Sequence, residues 1–154
     1  MKVKCEMRRP EKLISDLGHI EFILTHEPVG VLSLSKNNLP YAVPVNFYYN
    51  DSRIYLHSSK VGQKVSYIMK NPRVCFLVLH AVDGSDEECG GALNYESVLC
   101  FGKATYTETS TAEVLSKLGK KYQTCSEVSE EDCQKTAMII VDIEEVSAKR
   151  GYQL

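Results

Sequence analysis

Apolar positions set the first divisions of the chain. Leu13, Leu17, Ile20 and Leu24 recur at helical spacing with Ile14 and Phe22 beside them, so residues 11–26 read as a helix that Pro28 ends. The period then changes. Residues 29–35 alternate as a short strand, and Lys36, Asn37 and Asn38 make a turn. Residues 41–49 form an aromatic strand, Asn50, Asp51 and Ser52 turn again, and residues 53–57 give a third strand. These three read as a meander of antiparallel hairpins. A short helix over 61–69 stops at Asn71 and Pro72. Residues 74–79 are a nearly continuous apolar run, the pattern of a buried strand. Residues 83–91, acidic and glycine-bearing, read as an exposed loop. A long strand covers 95–106, where Gly102 marks a bulge or a close backbone approach. Residues 111–122 form an amphipathic helix, acidic at its start and basic at its end as the helix dipole favours. A further short helix over 129–135 and a final alternating strand over 136–146 complete the pattern.

Many short strands and few helices predict a mainly β fold, a small barrel with flanking helices. At 154 residues one domain is expected, spanning residues 1–154, and 44% hydrophobic with 25% charged residues is ordinary for a soluble globular chain. The net charge of −2 offers no overall attraction to nucleic acid or an anionic membrane. No apolar run is long enough to span a bilayer. The first ten residues are polar and basic, without the apolar stretch of a secretory signal. Six cysteines (Cys5, Cys75, Cys89, Cys100, Cys125 and Cys133) show no paired or regular spacing, so a disulfide framework is not expected and a reducing cytoplasm is.

Chemistry concentrates in residues 54–64. A strand end, His57, Ser58, Ser59, Lys60, Gly62 and Lys64 follow one another there. That set suits a phosphate: backbone N–H groups and hydroxyls donate to its oxygens, glycine lets the chain approach closely, and lysines supply charge. Ser58 serves equally as a helix N-cap, Lys64 as a solvated surface lysine, and His57 as a structural histidine at a strand end. Lys60 is read as solvated. Just upstream, Pro44 removes a ladder donor from an aromatic strand, which implies an edge or an interruption, and Asn46 adds a polar side chain to an apolar stretch. Tyr95 and Ser97 suit either cross-strand packing or a pocket. His19, His26 and His80 have no ligand-like spacing with the cysteines, so no zinc site is expected. Cys89, beside Gly90 and Gly91, is a candidate redox-sensitive thiol with nothing nearby in sequence to lower its pKa.

Ordered pieces along most of the chain carry a resemblance. They are Met7, Arg8 and Arg9, then Gly30 through Leu34, then Leu39, Pro40 and Tyr41, then Pro44, Val45, Asn46 and Phe47. Ile54 through Ser58, Gly62, Gln63 and Lys64, Asn71 through Phe76, Tyr95 through Val98, and Phe101 through Ala104 follow. This series resembles the FMN-binding split-barrel proteins related to pyridoxamine 5′-phosphate oxidase, in particular the subgroup of 5-nitroimidazole-resistance (Nim-type) proteins. The resemblance implies a split antiparallel barrel that forms a homodimer with two FMN molecules at its interface. It implies that Pro44, Val45, Asn46 and Phe47 lie along the flavin ring, that His57, Ser58, Gln63 and Lys64 hold the phosphate and ribityl chain, and that Ser97 belongs to the cofactor site. His57 would sit beside the flavin, where an imidazole donates a proton or holds an acidic ligand. The implied activity is FMN-dependent reduction of a small acceptor such as a nitroaromatic, with electrons from a reduced nicotinamide. No GxGxxG fingerprint is present, so that donor would bind transiently at the flavin face.

Two other classes of function stay open. One is a flavin- or heme-binding protein without turnover, with His57 or a cysteine as an axial heme ligand, or a related flavoprotein of other substrate. Pyridoxamine 5′-phosphate oxidation itself is disfavoured, because Lys149 through Leu154 lacks the arginine-rich ending expected for that substrate's phosphate. The other is an oligonucleotide-binding barrel using some of the nine tyrosines, which the near-neutral charge disfavours.

Overall fold

The computed structural model describes residues 1–4, 7–86, 92–124 and 127–152. Cys5, Cys89 with Gly90 and Gly91, and Cys125 lie outside the described residues, and with them the proposed redox role of Cys89. The chain opens with β1 (Lys2–Val3), a 3₁₀ turn (Pro10–Lys12) and α1 (Leu17–His26). Then come β2 (Val29–Lys36), β3 (Leu39–Asn46), β4 (Tyr48–Asn50), β5 (Arg53–Ser58) and α2 (Gln63–Lys70). The long strands β6 (Arg73–Asp86) and β7 (Ala92–Thr107), helices α3 (Ala112–Tyr122) and α4 (Glu130–Lys135), and β8 (Ala137–Arg150) complete it.

The strands form one sheet in the order β3-β2-β6-β7-β8-β5-β4, antiparallel throughout, with β1 added in parallel to β8. β3 and β4 stand at opposite ends of that path, yet only Phe47 separates them in sequence. The sheet therefore curls until its two ends meet at that residue. Phe47 itself is fully buried, packed edge-on against Phe76 with ring centroids 5.0 Å apart. Leu32, Leu56, Val78, Val98 and Ile139 fill the interior around them. Both expected hairpins form, β2 with β3 and β4 with β5, but the single strand expected over 41–49 is broken at Phe47 into β3 and β4, so the three strands do not lie side by side as a meander. Alternation reports which face is buried; it does not report where a strand passes from one end of the sheet to the other.

Other details also differ from the sequence reading, β8 running on to Arg150 among them. α1 starts at Leu17, where the Asp16 carboxylate accepts from the Gly18 N–H at 2.9 Å. Leu13 and Ile14 join the sheet instead: Leu13 bridges to Lys149, and the Ile14 N–H donates to the Ala148 carbonyl at 3.0 Å. Their apolar side chains mimic a helix stripe because a sheet edge also needs them buried. In β6, Val74, Phe76 and Val78 point into the core, while Cys75 and Leu77 are half-buried and Leu79 is exposed, so the apolar run is one core face and one apolar outer face. The expected loop over 83–91 is strand as far as Asp86.

Gly102 performs both roles expected of it. The register shifts there: Phe101 faces Glu145 but Gly102 faces Ile143, leaving Glu144 as the extra residue of a bulge in β8. A Cβ on Gly102 would lie 2.0 Å from the Asp142 carbonyl oxygen. Below the bulge β8 lies between β7 and β5; above it β5 has ended, and the N-terminal segment takes its place. No helix among the described residues is long and apolar enough to cross a membrane.

Candidate functional site

β5 delivers His57 to a pocket of about 450 Å³ lined by Asn46, His57, Leu115, Leu118, Tyr122 and Asp132, among others. Asn46 arrives from the end of β3, the outermost strand of the sheet, so two of the expected site residues meet although they lie on strands that do not ladder. α3 and α4 close the far wall. α3 is held by its Thr111 cap, and α4 by a reciprocal capping box between Ser129 and Asp132.

Past Ser58 the chain turns through residues 59–62. The Ser58 hydroxyl is buried and donates to the Ser59 carbonyl at 3.0 Å, and the Ser59 hydroxyl donates to the Val61 carbonyl at 3.0 Å. Gly62 has φ +136°, a conformation that excludes an L side chain, and starts α2. Among the described residues no side chain caps α2, whereas Asp16, Thr111 and Ser129 cap the other three helices. Ser58 is therefore not the cap that the sequence allowed. The first N–H groups of α2 are left for an anion, with Lys64 in its first turn. Lys64 acts on His57 directly. More than a third of His57 is open to solvent, yet protein crowded around it disfavours the imidazolium, and the Lys64 charge adds to that, so its pKa is held below the ordinary value. A lysine and an uncapped helix start form a donor set that fits a phosphate-bearing ligand, with a neutral imidazole beside it.

The other expected residues divide. Pro44 and Asn46 are exposed and Val45 is half-buried against the core, so β3 offers its even-numbered residues outward. The Phe47 ring is in the core and does not line the pocket. Its backbone N–H donates to the Tyr122 hydroxyl at 2.8 Å, and that hydroxyl lies 2.5 Å from the Pro28 carbonyl and 3.0 Å from that of Phe47. Gln63 is exposed at the helix start. Ser97 is not brought to His57 within one chain. It lies on the outer face of the sheet, opposite Leu79 and Lys149, in an apolar pocket of about 700 Å³, and its buried hydroxyl finds no hydrogen-bond partner among the described residues. That outer face is continuous from β3 to β7, through Pro44, Val31, Leu77 and Leu99 in register, and exposes Val29, Leu79 and Phe101.

Sequence reading missed Tyr122, Lys121 and Asp132. Tyr122 ties α3 to the junction of β3 and β4, and Lys121 places its Nζ 4.0 Å above the Phe47 ring. Lys121 and Tyr122 read as the basic end of an amphipathic helix and Asp132 as part of a further short helix, and no local pattern singles them out. Two expected scattered histidines are paired with carboxylates: His19 with Glu96 at 2.5 Å and His80 with Glu27 at 2.6 Å. Cys75, Cys100 and Cys133 are free thiols, and burial raises the pKa of Cys75 and of Cys100, so both behave as apolar filling.

A mainly antiparallel sheet curled on itself, with a pocket where its ends meet and helices across the opening, is a split barrel. The sequence model described as pyridoxamine 5′-phosphate oxidase matches residues 17–150, and the chain belongs to that family. No curated protein matches it. Among solved structures, a candidate 5-nitroimidazole antibiotic resistance protein from Bacteroides thetaiotaomicron is 23% identical with a TM-score of 0.76, the alignment covering 90% of this chain and 86% of that one. An FAD-binding protein from Mesorhizobium loti is 22% identical with a TM-score of 0.69, covering 88% and 95%. The flavocytochrome Anf3 from Azotobacter vinelandii is 21% identical with a TM-score of 0.77, covering 97% and 74%. At these identities the likeness is one of fold.

Proposed function

We propose that this chain is an FMN-dependent oxidoreductase that works as a homodimer and passes electrons from a reduced nicotinamide to a small acceptor such as a nitroaromatic. The observation that carries the reading is the uncapped start of α2, with Ser58, Gly62 and Lys64 around it and the neutral imidazole of His57 beside it. Gln63, Lys64 and the first N–H groups of α2 would hold the flavin phosphate through charge-assisted hydrogen bonds, joined by Ser58 once its hydroxyl turns from the Ser59 carbonyl. The outward side of β3, with Pro44 and Asn46, would lie along the ring together with the backbone of Val45, and Phe47 would fix that strand from the core. FMN supplies the electron transfer; the protein binds, orients and tunes it. His57, uncharged at neutral pH, would hold the acceptor by a hydrogen bond and shed or take a proton at its ring nitrogen.

The homodimer is supported by the apolar outer face, whose exposed Val29, Leu79 and Phe101 a second copy would cover. A second copy laid on it would bring the orphaned Ser97 hydroxyl towards a flavin held by the first, which is the arrangement that makes Ser97 a cofactor residue. Absorbance of the purified protein, with the released cofactor identified by mass, tests the reading. Yellow flavin bands and FMN by mass support it, and His57→Ala should then retain flavin while losing nitroaromatic reductase activity. A colourless protein that also refuses added FMN refutes it. A Soret band in place of flavin bands would favour the heme-binding alternative, to which the neutral, accessible His57 is suited as an axial ligand.

A further inference from the structure

Away from the His57 pocket, residues 7–12 arch over the end of β8. The arch is pinned at both feet: the Lys4 N–H donates to the Val146 carbonyl at 2.7 Å, and the Ile14 N–H to the Ala148 carbonyl at 3.0 Å. Under it lies a pocket of about 230 Å³ lined by Arg8, Arg9, Lys12, Tyr95, Lys149 and Arg150. Five cationic side chains thus converge in a chain of net charge −2. None of the five takes part in an ion pair among the described residues. Lys12 is only 8% exposed, and its Nζ donates to the Gly151 carbonyl at 3.1 Å. The Arg150 Nε is buried without a hydrogen-bond partner among the described residues. Glu96 is the nearby carboxylate that acts on Arg150, and its oxygens are already engaged by His19 at 2.5 Å and Tyr152 at 2.8 Å. Lys12 and the Arg150 Nε are buried, Lys149 is half-buried, and Arg8 and Arg9 are exposed at the mouth, so the inner cations are costly to hold with so little counter-charge and the outer ones are free to meet an anion.

We propose that this pocket binds the adjacent phosphates of a nucleoside diphosphate group. Arg8 and Arg9 offer guanidinium forks that match phosphate geometry, and Lys149 and Arg150 face them from β8. The pocket is smaller than the roughly 300–1,000 Å³ that whole organic ligands occupy, so it takes the charged end alone. This site shares no residue with the His57 pocket and does not depend on the flavin reading.

Calorimetric titration of the full chain with sodium pyrophosphate tests it. Saturable binding is expected, weakening steeply with added salt. Arg8→Gln with Arg9→Gln should weaken it roughly tenfold or more, and Arg8→Lys with Arg9→Lys should restore part of it. Both pairs should retain the thermal midpoint and any flavin content of the unmodified protein. If the glutamine pair does not fold, Lys149→Gln reads the same loss. Absence of pyrophosphate binding, or binding untouched by the glutamine pair, overturns the proposal. A protein that carries no flavin overturns the other reading and leaves this one standing. Competition by ADP and by NADPH separates a free nucleotide from a dinucleotide as the source of the phosphates.

Discussion

Removing one oxygen atom, in Tyr122→Phe, tests how the barrel is closed. The Tyr122 hydroxyl accepts from the Phe47 N–H at 2.8 Å and, having one proton, donates to the Pro28 carbonyl at 2.5 Å in preference to the Phe47 carbonyl at 3.0 Å. Phe47 is wholly buried, so its N–H is left without a partner when the oxygen goes. An orphaned buried donor costs about 1–3 kcal/mol, and the lost bond to the Pro28 carbonyl, which solvent reaches, adds at most about 1 kcal/mol. A net loss of about 2 kcal/mol lowers the thermal midpoint of a chain this size by roughly 4–8 °C. Urea unfolding should show the midpoint fall with an unchanged slope. Tyr106→Phe is the comparison: its hydroxyl donates only to the exposed Lys60 carbonyl at 3.1 Å, and its loss should cost less than about 1 kcal/mol. Equal midpoints for the two variants would refute the idea that Tyr122 fastens the junction of β3 and β4.

Gly102→Ala puts a methyl group 2.0 Å from the Asp142 carbonyl and should destabilise by more than about 3 kcal/mol in urea unfolding; a loss under about 1 kcal/mol would mean that the bulge in β8 yields freely. Lys121, pushed down to about 8 by burial, binds fewer protons in the fold than in the unfolded chain between that pH and 10.5, so it adds stability as pH rises through the window. Lys121→Met should flatten that rise in the urea midpoint, and an unaltered slope would refute the assignment. His57 is held below its ordinary pKa by burial and by Lys64, so its ring resonances should titrate below about pH 6.5, and Lys64→Gln should move them upward. Because the unfolded chain takes up the proton first, the same group subtracts stability as pH falls through that range.

Local features of this fold are legible in the sequence, and distant ones are not. Asn37 with Asn38 and Asp51 with Ser52 were readable as turns, and all four adopt positive φ, between +48° and +64°, as tight hairpins require. The segment from His57 to Lys64 was readable because its strand end, glycine and helix start are contiguous. Strand order was not. Phe47 looks like one more residue of an aromatic strand, yet it joins opposite ends of the sheet, and nothing local marks that. The pocket walls were also hidden: Tyr122 and Asp132 reach Asn46 and His57 across some seventy residues of chain, and helix periodicity says only that one face is buried. Leu13 and Ile14 were misread for the same reason, since a helix stripe and a covered sheet edge ask for the same side chains.

The N-terminal segment covers what β5 leaves bare. Past the bulge, β8 would present an open row of donors and acceptors; β1 takes that row in parallel register, with Lys2 beside Glu145 and Val3 beside Val146. An uncovered strand of this kind recruits strands from other molecules. Trimming these few residues would therefore show first as aggregation and inclusion-body formation, well before it showed as a lower melting temperature, and an affinity tag placed at this end would sit directly against the strand that keeps the molecules apart.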